Sequence, residues 1–151
     1  MIAKTYDAMG MNMITIAGKK IGNFISSELD FVKFVAESGN LCVDKKPSSM
    51  NMINGRGRSV IASVTILNKT LQENLGITAQ QLFDMNYKKN ILGSAVAGSL
   101  GLNAHAANML AALFIATGQD AAHVVDGAHS ITTVDLQENG VVVSVTLLIY
   151  Q

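Results

Sequence analysis

Apolar positions fall at helical spacing from Ile14 through Ala17, Ile21, Phe24 and Ile25, which predicts an amphipathic helix opening just after Gly10. Residues 27–30 read as a turn, and residues 31–35 then alternate between apolar and polar like a strand. A second alternating run occupies residues 59–67, with Val60, Ala62, Val64 and Ile66 on one face. Residues 68–89 predict two short helices, the second capped by Thr78 and ending in Lys88-Lys89, where lysines are ordinary partners of a helix C-terminus. Beyond Lys89 the pattern changes. Ser94, Gly98, Gly101, His105, Asn108 and Ala112 recur at alternating four- and three-residue steps, a small and polar face if one helix runs through them. Two strand-like runs, 130–136 and 141–150, close the chain around Gln137-Glu138-Asn139-Gly140, and Asn-Gly is a strong hairpin signal. The second run is too apolar for a free edge, and its abrupt end leads us to expect an incomplete chain or an obligate partner. Mixed helices and strands with a C-terminal hairpin give an α+β fold class.

Composition narrows the function classes. The 151 residues suit one domain or a piece of a larger one. With 49% hydrophobic residues, 5% aromatics and no tryptophan, a core of Ala, Val, Ile, Leu and Met is expected, with Met1, Met9, Met11 and Met13 as filler. Eleven basic residues balance eleven acidic ones, which argues against a nucleic-acid partner or an anionic membrane surface. No charged residue lies between Lys89 and Asp120, a run long enough to span a bilayer. However, Asn103, His105 and Asn108 near its middle would be costly in lipid, so a buried helix without a membrane segment is expected. The N-terminus carries no apolar signal-peptide core, and the single Cys42 fits a reducing compartment, so a cytoplasmic location is expected. Cys42, His105, His123 and His129 lack metal-ligand spacing, and no metal site is expected.

The candidate chemistry sits where charge and glycine concentrate. Asp44-Lys45-Lys46-Pro47 places adjacent lysines beside one carboxylate; such a pair is stabilised by an anion, although a solvated basic turn is the commoner meaning. Gly10 before a helix lets backbone N–H groups approach an anion. Asn54-Gly55-Arg56-Gly57-Arg58 could wrap a phosphate or simply turn before the next strand. His105 and Asn108 would stand one helical turn apart, usually a structural pair, with Asp120 of Gly118-Gln119-Asp120 at the end of the uncharged run.

In this order the segments resemble 3-hydroxy-3-methylglutaryl-coenzyme A reductases. The resemblance rests on Asp7-Ala8-Met9-Gly10-Met11-Asn12-Met13, Ser38-Gly39-Asn40, Asp44-Lys45-Lys46-Pro47, Gly93-Ser94-Ala95, Asn103-Ala104-His105-Ala106-Ala107-Asn108 and Gly118-Gln119-Asp120, spread over most of residues 7–133. The Asp7–Met13 segment resembles the class I branch, and Gly101-Leu102-Asn103 and Ile131-Thr132-Thr133 are similar to soluble archaeal-type members.

The resemblance implies an oxidoreductase of the mevalonate (isoprenoid) pathway. It reduces hydroxymethylglutaryl-CoA with two hydrides from NADPH, NADH being the alternative donor, through a thiohemiacetal to mevalonate and coenzyme A. By motif, Lys45 matches the catalytic lysine that stabilises the oxyanion, and Asp120 the aspartate that keeps it charged and aimed. Ser38, Asp44, Lys46, Lys89 and Asn108 match substrate-binding residues. Asp7, Ala8, Met9, Gly10, Met11, Asn12 and Met13 match the dinucleotide segment, and Arg56 a further phosphate contact. The implied architecture is the end of a small ferredoxin-like NADP-binding domain, residues 1–37, followed by part of a large mixed catalytic domain, residues 38–151. A homodimer with its active site between subunits is also implied. The family's catalytic glutamate and histidine segments have no counterpart here, and His105, His123 and His129 do not match them. The isolated chain is therefore expected to lack turnover, and a non-catalytic cofactor-binding or dimerisation module is the alternative.

Overall fold

A computed structural model of the chain describes residues 4, 6, 10–54 and 59–147. It divides into two compact units, Met1–Cys42 and Val43–Gln151.

The first unit is built on α1, Met11–Glu28. Gly10 precedes it without a side-chain cap, and Thr15 returns its hydroxyl to the Met11 carbonyl at 2.9 Å. The helix runs into the first half of the expected turn at 27–30 and ends at Glu28, where the Leu29 N–H reaches the Ile25 carbonyl, with the turn itself at residues 30–31. Residues 31–35 do not form a strand: Phe31 closes a turn and residues 32–35 have no regular secondary structure. Their backbone serves α1 instead: the Phe34 N–H donates to Ser26 Oγ at 2.7 Å. The Phe34 ring lies where Gly22 leaves room, and a Cβ there would overlap it. The period-two pattern is real, with Val32 and Phe34 half-buried and Phe31 and Val35 exposed, but its partner is the helix. The expected methionine filler fails for Met11 and Met13, which are exposed, whereas Met1 and Met9 lie outside the described residues.

The second unit centres on a three-stranded antiparallel sheet. After α2 (Ser49–Asn54) come β1 (Val60–Leu67), α3 (Asn68–Leu75) and α4 (Ala79–Met85). Wide π-type turns cover Asn86–Gly93 and pass into the short α5, Ser94–Val96. Then follow α6 (Ala106–Ala116), a 3-10 turn Ala121–His123, α7 (Val124–Gly127), β2 (Ile131–Gln137) and β3 (Gly140–Leu147). The hairpin places Glu138 and Asn139 at its tip. The strand order is β1-β3-β2, so the most apolar strand is central, with Val64 opposite Val143 and Val134 opposite the same residue from the other side. Gly140 is required where β3 begins, because a Cβ would overlap the Ile66 carbonyl.

Alternation gives the sheet one apolar face carrying Ile66, Val134, Val141 and Val143, and a more polar face where Ser63 and Ser144 hydroxyls meet at 2.8 Å. On the apolar face Leu71, Val134 and Val141 are buried, joined by Ile66, Ala79, Leu82, Phe83 and Val143. Thr78 caps α4 as expected. Its hydroxyl accepts from Gln81 N, and the Gln81 side chain returns to the Thr78 N–H.

The uncharged run from 90 to 119 is not one helix. The chain leaves α5 at Gly98, in the left-handed region at φ 68°, and crosses to β2, where the Leu102 N–H reaches the Ser130 carbonyl at 3.0 Å. Asn103 fixes the crossing by donating to the Ala128 and Ser130 carbonyls at 3.0 and 2.8 Å. A Cβ at Gly101 would overlap the Ala128 carbonyl. These demands on single residues break the regular face that the spacing implied. Nor is α6 buried: none of its residues is, and Met109 and Ile115 are 72% and 70% exposed.

Candidate active site

Two turns of the second unit converge on one ion pair. The first is the Asp44-Lys45-Lys46-Pro47 loop. Lys45 adopts the left-handed conformation, φ 56°, a costly choice for a residue with a Cβ and one that occurs where surroundings enforce it. The second is the end of α6. Gly118, at φ 69°, terminates the helix, and the Gln119 N–H bonds back to the Phe114 carbonyl at 2.7 Å, a Schellman closure that satisfies an orphan carbonyl. The chain emerges at Asp120, whose carboxylate accepts the Ala122 N–H at 2.9 Å and starts the 3-10 turn.

Lys45 Nζ and Asp120 Oδ2 are in direct contact, with side chains 30% and 45% exposed. The Lys45 ammonium, followed by the Ala122 N–H, holds the Asp120 carboxyl below its ordinary 3.8. A second approach runs beside it: His123 Nε2 lies 4.0 Å from Asp44 Oδ1, an ion pair when the imidazole is protonated. Thus Asp44 and Lys45 of one turn face His123 and Asp120 of the other. The sequence set His123 aside because it matches no catalytic motif; its spacing three residues after Asp120 acquires meaning only once the 3-10 turn exists. Asn51 was likewise missed. Its Nδ2 donates to the carbonyls of Val43 and Lys46 at 2.8 and 3.0 Å, across the turn that carries Lys45.

The remaining sequence candidates separate. Ser38 lies in the first unit, where its hydroxyl accepts the Asn40 N–H at 3.1 Å. Lys46 is half-buried beside Lys45. Lys89 is exposed, and it is not at a helix C-terminus because the backbone continues through wide turns to Gly93. Its neighbour Lys88 pairs with Asp84 at 3.0 Å. The polar anchor of this segment is Asn86, which is buried and donates to the Thr132 carbonyl at 3.1 Å while accepting from Asn90 at 2.8 Å. Asn108 contacts His105 Nδ1 at 3.2 Å, as the one-turn spacing implied, but the pair is exposed, not buried. His105 itself has φ 64° and precedes α6.

Of the expected dinucleotide segment, Asp7, Ala8 and Met9 lie outside the described residues, as does Arg56. Gly10, Met11, Asn12 and Met13 form the start of α1. No acidic side chain sits in that first turn and no side chain caps it.

The family model described as hydroxymethylglutaryl-coenzyme A reductase matches residues 1–149. The 3-hydroxy-3-methylglutaryl-coenzyme A reductase of Methanocaldococcus jannaschii is 52% identical over 150 residues, covering 97% of this chain and 37% of the relative. That of Halobacterium salinarum is 51% identical over 143 residues, 95% of this chain and 35% of the relative. A more distant relative of the same name from Ganoderma lucidum is 45% identical over 138 residues, 91% of this chain and 11% of its own length. The chain therefore spans little more than a third of the archaeal relatives it matches. With a family model that matches residues 1–149 and archaeal relatives 51–52% identical over 95–97% of its length, the chain belongs to the hydroxymethylglutaryl-coenzyme A reductase family.

Proposed function

We propose that this chain supplies the cationic half of a catalytic site that reduces hydroxymethylglutaryl-CoA to mevalonate and coenzyme A in the mevalonate pathway. The observation that carries the reading is the Lys45–Asp120 pair, a cation held in a strained turn by a carboxylate from a second element. A carbonyl under attack by hydride develops negative charge on oxygen, and a preorganised ammonium stabilises that charge more than the neutral carbonyl. Lys45 takes this role. Asp120 keeps the ammonium charged and directed, because an adjacent carboxylate favours the protonated amine.

Lys46, Asp44, Lys89, Asn108 and Ser38 are assigned to the hydroxymethylglutaryl moiety, whose free carboxylate suits lysines. Asp7, Ala8, Met9, Gly10, Met11, Asn12 and Met13 are assigned to the nicotinamide dinucleotide, and Arg56 separately to a phosphate contact. NADPH, when bound, supplies the hydrides. We assign residues 1–37 to the end of a ferredoxin-like cofactor domain and residues 38–151 to the large domain. The assembled protein is a homodimer in the cytoplasm, with its active site between subunits.

The test is NADPH oxidation driven by hydroxymethylglutaryl-CoA in the full-length protein. Lys45→Ala is expected to lower kcat by about 10²–10³-fold, the usual effect of removing one oxyanion-stabilising group. Activity retained within a few-fold would remove Lys45 from the role.

A further inference from the structure

We propose that Asn51 is a positioning residue for the Lys45 cation: its side-chain amide bridges the carbonyls of Val43 and Lys46 and thereby locks the turn that places Lys45 in its left-handed conformation. The inference rests on the reading of Lys45 as the oxyanion-stabilising group.

Geometry supports a dedicated device. The two carbonyls lie on either side of Asp44-Lys45, and one amide nitrogen spans them with its two hydrogens at 2.8 and 3.0 Å. A side chain of this length with two donors on a single atom makes such a bridge; serine has one donor, and leucine, of similar size, has none. The short α2 does not itself use this amide. Ser48 provides its capping, with Ser48 Oγ accepting the Met50 N–H at 3.2 Å and the Ser48 carbonyl accepting the Met52 N–H at the same distance. Pro47 fixes one backbone angle at the loop exit but makes no contact across the turn on the Asp44 side through an N–H, which it lacks.

The consequence follows from backbone energetics. A lysine with φ 56° returns to negative φ when its neighbours cease to hold it, and that change swings the side chain away from its present direction. Asp120 is anchored independently by the Ala122 N–H and the Gly118 turn, so it stays while Lys45 moves. Loss of the Asn51 bridge therefore separates the ion pair without touching either partner.

This separation is measurable apart from turnover. In the full-length protein labelled in its aspartate carboxyl carbons, the Asp120 resonance is identified by its absence in Asp120→Asn and followed against pH. In Asn51→Leu its titration midpoint is expected to move upward, because the ammonium that holds it low has left, as it also does in Lys45→Ala. The same variant is expected to lose about tenfold or more in kcat, with KM for hydroxymethylglutaryl-CoA changing less, since a displaced stabiliser is missed most in the transition state. Asn51→Ser, which keeps a polar helix start, gives the same upward shift if Leu proves too disruptive to fold. An unchanged Asp120 midpoint in a folded Asn51 variant overturns the proposal, whatever the activity does. If Asn51→Leu shifts Asp120 while Lys45→Ala retains turnover, the positioning stands and the catalytic reading of Lys45 falls.

Discussion

Asp120 shows how a single carboxylate couples stability to function. Its folded pKa is lowered chiefly by Lys45 and secondarily by the Ala122 N–H. A lowered value means the pair contributes its full stability above the ordinary 3.8 and loses it as pH falls through the lower folded value. Acid unfolding of the native chain should therefore carry a component, confined to the region below pH 3.8, that Asp120→Asn removes. Chemical denaturation at a series of acid pH values checks this; identical pH slopes for both proteins would contradict it. The same substitution is expected to lower kcat by about tenfold or more near neutrality, because the amide neither holds nor aims the ammonium electrostatically. Both partners were legible as residue types in the sequence: a lysine pair in a nearly charge-free chain, and an aspartate closing an uncharged run. Their contact was not. It depends on a lysine at φ 56° and a glycine-terminated helix, and nothing in the identity of Lys45 announces a left-handed backbone.

At the scale of elements, local signals succeeded where short-range rules dominate. The Thr78 capping box and the Asn139-Gly140 hairpin depend on neighbours within a few residues, and both are present. Thr78→Ala should cost about 1 kcal/mol in thermal or denaturant unfolding. The expectations that failed needed tertiary knowledge: residues 31–35 alternate toward α1 rather than a strand, and the helical stripe through Gly98, Gly101 and His105 is cut by the crossing to β2. Glycine placement turns this into a discriminating test. Gly76 ends α3 at φ 66° and Gly118 ends α6 at φ 69°, and a Cβ at either meets nothing within 4 Å. Alanine at each should therefore cost a similar amount, roughly 1 kcal/mol, from the left-handed conformation alone. Only Gly118→Ala should also depress turnover, because that turn delivers Asp120 to Lys45. Comparable activity loss in Gly76→Ala would mean the effect is general destabilisation rather than positioning.

For the whole molecule, composition and burial disagree in an informative way. Nearly half the chain is hydrophobic, yet among the described residues the buried apolar side chains are Leu71, Val134 and Val141. The small core at the junction of the sheet with α3 and α4 accounts for little of the remainder. Ile14, Ile16, Ile21 and Phe24 on α1 are exposed, and so are Met109, Leu113 and Ile115 on α6. Exposed large apolar side chains in such number are candidates for an interaction face, and a net charge of zero offers no electrostatic repulsion to keep copies apart. Truncating the small core should be severe: Leu71→Ala removes a fully buried side chain and should cost about 2–5 kcal/mol. The exposed faces lead to a different expectation. At micromolar concentration the purified 151-residue chain should scatter light as a species of at least twice its 16.0 kDa. Charged substitutions at Met109 and Ile115 should shift that mass downward if α6 lies in the contact, whereas the same changes at Ile16 and Phe24 report on α1. A strictly monomeric mass for the unaltered chain would show that neither face drives association and would remove the physical support for a homodimer through these helices. Because the substituted side chains are already exposed, the expected change is in assembly and not in the folding of either unit, and circular dichroism of the variants separates the two.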